Sequence, residues 1–152
     1  RHFGYDEFPN LAYLYMNHNI VAQFPDNFHT LNKLLKVSLA GSEISAIPQY
    51  FSKFNQLQLI DFRNNNISAL SSDIRVWLKA KIGESQGNTK KFEQLFANNP
   101  ICKNIANKNL EFLDCAPVCS QFCYSRNALG NNLCDFTCNS KACEYDKGDC
   151  KK

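Results

Sequence analysis

The residues best equipped for chemistry lie at the end of the chain. Six cysteines, Cys119, Cys123, Cys134, Cys138, Cys143 and Cys150, fall within 32 residues. Asn131, Asp135, Asp146 and Asp149 are interleaved with them in the run GNNLCDFTCNSKACEYDKGDC. Carboxylates and amides at such offsets suit a hard cation such as Ca2+, which takes about six to eight oxygens. Zinc is the weaker candidate. It prefers thiolate or imidazole, and His2, His18 and His29 all lie far upstream. With Cys102 and Cys115 the chain has eight cysteines and none in its first hundred residues. An even, clustered set of that kind points to disulfides and to a compartment outside the reducing cytosol. Eight cysteines allow roughly a hundred pairings, so spacing alone leaves the connectivity open. A segment this short buries too little surface to fold unaided, so cross-links or a metal must supply the difference.

The pattern C-D-x-x-C-N-x-x-x-C-x-x-D-x-G-D-C, with the cysteines before it, resembles the Lin-12/Notch repeat over nearly all of 119–150. The resemblance implies the pairs Cys119–Cys143, Cys123–Cys138 and Cys134–Cys150. It also implies one calcium ion held by Asn131, Asp135, Asp146 and Asp149. A further ligand of that family precedes Asn131, and Asn127 is the candidate, although this chain has two extra residues between Cys123 and Cys134. Lys147 stands where the family usually has glycine. If that position needs a positive φ, lysine costs conformational energy and puts a like charge beside the cation.

Upstream, the chain repeats. LAYLYMNHNIV, LLKVSLAGSEI and LQLIDFRNNNI begin at Leu11, Leu34 and Leu57, 23 residues apart. Leu14, Val37 and Ile60 share one position, Met16, Leu39 and Phe62 another, and Val21, Ile44 and Ile67 a third. The spacing L-x-x-L-x-L-x-x-N-x-L resembles the leucine-rich repeat, with Asn19, Ser42 and Asn65 at the asparagine position. The fold class this implies is an α/β solenoid, followed by a small disulfide-rich calcium-binding module with little regular secondary structure. Strands are expected near 13–17, 36–40 and 59–63, with Leu14, Met16, Val37, Leu39, Ile60 and Phe62 buried. The domains are 1–115, repeats with a C-terminal cap, and 116–152, the Notch-like module.

The register continues backwards, aligning Tyr5 with Phe28 and Phe8 with Leu31. Phe3, Tyr5 and Phe8 are therefore expected to need cover from outside these repeats. Ser71, Ser72 and Asp73 suit a helix start, with Ile74, Trp77, Leu78 and Ile82 at helical spacing and Gly83 ending it. Asn99 follows Asn65 by 34 residues, one period plus an insertion. Asn-Pro-x-Cys at 99–102 resembles the C-terminal cap of extracellular leucine-rich repeat proteins, which implies Cys102 paired with Cys115.

A net charge of +3, spread over both parts, offers no basic stripe for nucleic acid. No run of apolar residues is long enough to span a membrane. No nucleophile, base and carboxylate fall into register, so an enzyme is not expected. The strand positions facing away from the repeat core include Tyr13, Tyr15, His18, Lys36, Leu59, Asp61 and Arg63, a mixture suited to protein contact. The expected function is extracellular or cell-surface protein recognition. The partner is another extracellular protein or further domains of the same protein. The alternative is a structural protomer or spacer in a larger assembly. Asn66-Ile67-Ser68 is the one glycosylation triplet.

Overall fold

The computed structural model describes residues 7–21, 23–85, 92–104, 109–120, 122–123 and 128–151. They fall into two compact units, 1–115 and 116–152.

In the first unit, Leu14, Val37 and Ile60 each centre a three-residue extended stretch. This gives short strands β1 (Tyr13–Tyr15), β2 (Lys36–Ser38) and β3 (Leu59–Asp61). A fourth, β4 (Glu93–Leu95), follows the helix α1 (Ser72–Glu84). All four pair in parallel in the order β1-β2-β3-β4. The segments after β1 and β2 return as five-residue 3₁₀ turns, Asp26–Thr30 and Gln49–Lys53. Each follows a proline that holds its own φ near −59°, ready for the turn. Among the described residues, only the return after β3 contains a long α-helix. Its Ser71 side chain accepts from the Ile74 N–H, capping the first turn. Gly83 does not end it; the helix runs to Glu84 and Ser85 is its C-cap.

One layer of apolar side chains joins the sheet to these returns. Phe28 stacks on Phe51 with ring centroids 5.6 Å apart, Phe51 meets Phe62 at 5.7 Å, and Phe62 meets Phe96 at 6.0 Å. Val37, Leu39, Ile60, Ile67, Ile74 and Leu78 are buried around this aromatic spine. Leu14 and Met16 are only half-buried, against expectation, because β1 is an edge strand.

The structure overturns the expected leucine-rich-repeat solenoid. Among the described residues, what forms is one four-stranded parallel sheet with a single long helix, not an array of like units. The strands of the first two pairs lie 23 residues apart, but β4 is 34 residues from its partner positions on β3. The returns differ as well, 3₁₀ twice and then α. The local period sets the strand register but does not propagate one repeated unit.

The second unit is built from 3₁₀ turns at Phe136–Cys138 and Lys141–Cys143, and a four-residue helical turn, α2 (Glu144–Lys147). Its core is Cys123, Cys138 and Cys143 with Val118, Cys119, Ala128 and Leu129 against them. No described helix is long and apolar enough to cross a membrane.

Candidate functional site

The disulfides are Cys102–Cys115, Cys119–Cys143, Cys123–Cys138 and Cys134–Cys150, which are the pairs that the two resemblances imply. Cys119, Cys123 and Cys143 lie close together, but each sulfur is spent in a disulfide, so no thiolate is there for zinc.

Between Cys143 and Cys150 the backbone does something L-residues seldom do. Glu144, Tyr145, Asp146, Lys147 and Gly148 all have positive φ, from 50° to 100°. Left-handed geometry costs non-glycine residues roughly 1–2 kcal/mol each, so a run of four needs compensation. Part of it comes from the flanking disulfides, which fix both ends. The rest comes from Asp146, whose side chain the turn drives inward until it is fully buried. One carboxylate oxygen accepts the Gly130 N–H at 3.1 Å and the other the Asp135 N–H at 2.8 Å. Lys147, at φ 50°, lies in the conformation that favours glycine. Its side-chain stem runs beside Gly130, where an added Cβ would come 3.2 Å from Lys147 Cδ.

The expected metal ligands are gathered by the same turn. Asp149 accepts the Asn132 N–H at 2.7 Å. The Asn131 amide donates to Asp135 at 3.1 Å, while its oxygen accepts the Leu133 N–H at 2.8 Å. Asn131, Asp135, Asp146 and Asp149 thus lie on two facing loops tied by hydrogen bonds. Asn127 lies outside the described residues.

A hard cation fits this donor set in two respects. Every side-chain donor is oxygen, and each carboxylate oxygen that accepts one N–H keeps a lone pair. No described lysine, arginine or histidine pairs with Asp135, Asp146 or Asp149; the ion pair among the described residues is Asp61–Arg63. Three neighbouring carboxylates, one of them fully buried, then have no counter-charge among the described residues. In a third respect the fit is loose: no three described carboxylates bring oxygens within 4.8 Å of one another.

The sheet presents a different surface. Tyr13 and Tyr15 alternate with core-facing Leu14 and Met16 and stand about half exposed, at 54% and 49%. The Lys36 ammonium lies 5.7 Å from the Tyr13 ring centroid. His18 is exposed at the end of β1 with φ 58°. A Cβ on Gly41 would come 2.7 Å from its ring, so glycine is required beneath it.

Leu59, Asp61 and Arg63 are not part of that surface. They are 3%, 0% and 4% exposed, because β3 is a central strand covered on both faces. Arg63 holds Asp61 through two bonds, Nε to Oδ1 at 2.9 Å and Nη2 to Oδ2 at 2.8 Å. Ser38 Oγ bridges Asp61 Oδ2 at 3.1 Å and Asn17 Oδ1 at 2.7 Å. A polar ladder therefore crosses three strands under cover. Sequence alternation places these residues on one face but cannot tell a buried polar ladder from a solvated one. Asn66 is exposed, as glycosylation requires, although its neighbour Ile67 is fully buried.

No protein-family model matches this chain, and no curated protein matches it.

Proposed function

We propose that the chain is an exported, non-catalytic protein-recognition module. Its β1 region offers the contact surface, and its tail is a disulfide unit steadied by Ca2+. The observation that carries the first part is the exposed pair Tyr13 and Tyr15 with Lys36 over the Tyr13 ring. Large amphipathic rings held on a rigid sheet lose little entropy on binding, which makes them good anchors. Four disulfides and no described free cysteine support export. Calcium, when bound, would neutralise the Asp135, Asp146 and Asp149 carboxylates and, with Asn131, cross-link the two loops. The backbone N–H groups of Gly130 and Asp135 already hold the Asp146 carboxylate in place, that of Asn132 holds Asp149, and the Asn131 amide donates to Asp135.

The test is a photoreactive phenylalanine analogue at position 15, with a control at the exposed helix residue Val76. The protein is exposed to the fluid of its native source and irradiated. A discrete adduct from position 15, absent at 76 and competed by unlabelled protein, is expected. Lys36→Glu should reduce it several-fold. Equal labelling from both positions, or none that unlabelled protein competes, would sink the reading.

A further inference from the structure

Asn66 lies in the turn after β3, in the triplet Asn66-Ile67-Ser68 that N-linked glycosylation requires. Its side chain is exposed and makes no hydrogen bond with the described residues, and Ser68 is exposed as well. The backbone of the triplet is not accessible in the same way. The Asn66 N–H donates to the Ile44 carbonyl at 2.8 Å, and the Ile67 N–H donates to Asn99 Oδ1 at 3.0 Å. The Ile67 carbonyl accepts the Ile101 N–H at 2.9 Å, and the Ile67 side chain is fully buried. Asn66 also lines a groove of about 510 Å³, together with Asn98, Pro100, Lys103 and the Cys102–Cys115 disulfide. The Asn98 amide donates to Asn64 Oδ1 at 2.8 Å, while its own Oδ1 accepts nothing from the described residues. Cys102 and Cys115 are half-buried, so the disulfide is partly open to this groove.

We propose that Asn66 carries an N-linked glycan, added before Asn99 and Ile101 dock, whose first sugar, an N-acetylhexosamine, then lies in this groove over the Cys102–Cys115 disulfide. The proposal rests on the reading that the chain is exported. In the transfer, Asn66 Nδ2 loses a proton and attacks the anomeric carbon of a lipid-linked oligosaccharide pyrophosphate. A bond forms from that carbon to Nδ2, the carbon–oxygen bond to phosphate breaks, and the lipid pyrophosphate leaves with the electron pair. A transferase must take Asn66 and Ser68 together into its own cleft, with the backbone between them accessible. In the folded chain Ile44, Asn99 and Ile101 occupy that backbone. Asn99 and Ile101 come later in the chain, so the triplet enters the secretory compartment before the groups that lock it. The tether then decides what fills the groove, because a sugar joined at Asn66 is held there at high effective concentration. Its acetamido N–H has Asn98 Oδ1 as an acceptor, its hydroxyls have the Lys103 ammonium as a donor, and its apolar face has Pro100 and the disulfide to pack on.

The full chain is sent through the secretory pathway of a cultured eukaryotic cell behind a cleavable signal peptide. Mass spectrometry of its peptides should find a glycan on Asn66. Trimmed to a single N-acetylglucosamine, the protein should show nuclear Overhauser contacts from the acetyl methyl to Pro100 or Asn98. Dithiothreitol should reduce Cys102–Cys115 several-fold more slowly than in Asn66→Gln or in Ser68→Ala, which keeps the asparagine. Purified oligosaccharyltransferase with its lipid-linked donor should leave the folded, sugar-free chain unmodified and should modify it once it is reduced and unfolded. An unmodified Asn66 in secreted, folded protein would overturn the proposal. So would transfer to the folded chain at the unfolded rate, or equal reduction rates in the glycosylated protein and both variants. Cross-linking from position 15 is repeated on Ser68→Ala, and competed adducts there leave the recognition reading standing when the glycan proposal fails.

Discussion

Asp61 brings a formal charge to a position with no solvent contact, and Arg63 and Ser38 together take both its oxygens. Breaking such a pair from one side leaves the other charge buried and alone. Arg63→Met should therefore cost about 3–5 kcal/mol, and adding Asp61→Leu should recover much of that loss. Urea midpoints of the single and double variants measure it; a single-variant loss below about 1 kcal/mol would mean that water reaches the site. Leu39→Ala removes a buried side chain beside the aromatic spine and should cost about 2–5 kcal/mol by the same readout. At this scale the sequence is a partial guide. Apolar periodicity marked Val37, Leu39, Ile60 and Phe62 for burial, and they are buried. It also grouped Asp61 and Arg63 with exposed Tyr13 and Tyr15, since alternation reports which face a residue is on, not what covers that face.

Among elements, the asparagines that follow the strands do unequal work. Asn65→Ala leaves the buried N–H groups of Ser42 and Ile44 without an acceptor, at about 1–3 kcal/mol for each group. Asn19→Ala removes one exposed local bond and should change stability by less than about 0.5 kcal/mol. Thermal melts of the two variants check this contrast, and similar losses would mean that Asn19 is engaged beyond its local bond. The start of α1 obeys local rules: Ser71→Ala should cost about 0.5–2 kcal/mol and Ser71→Asp much less. Local chemistry of that sort is legible in sequence, and so are the three strands that share a 23-residue spacing. β4 was not, because the helix and the loop after it break the period. Nor does the end of α1 at Gly83 follow from its type, since that glycine is exposed with no described side chain near it and the helix continues to Glu84. The leucine-rich-repeat solenoid failed for a related reason: a shared strand spacing does not require shared returns.

The whole molecule divides into a unit held by an apolar core and a unit held by cross-links, and the two should respond to different perturbations. Unit 1 buries a continuous aromatic and aliphatic cluster, whereas the second unit's core is mostly cystine sulfur. The tail also carries its left-handed turn and three carboxylates with no described cationic partner. Calcium bridging those carboxylates should stabilise the folded tail. Extracellular modules bind calcium with dissociation constants of about 10⁻⁴–10⁻³ M, so millimolar calcium should saturate the site. Calorimetry of the full chain in calcium and in EDTA is then expected to show two transitions. The one assigned to 116–152 should fall on chelation, while the one for 1–115 stays within a degree or two. At a calcium concentration about ten times the dissociation constant, the stabilisation is roughly 1.4 kcal/mol. Asp149→Ala should place the tail at its EDTA position in either buffer. Asp146→Asn should lower it further, because an amide cannot accept both the Gly130 and Asp135 N–H groups through two oxygens. Limited proteolysis gives the second readout, with cleavage within 128–151 accelerated by EDTA and by Asp149→Ala alike. If melting and cleavage are indifferent to EDTA, the loose spacing of the carboxylates is the true resting geometry. The disulfides and the Asp146 hydrogen bonds would then hold the unit without metal.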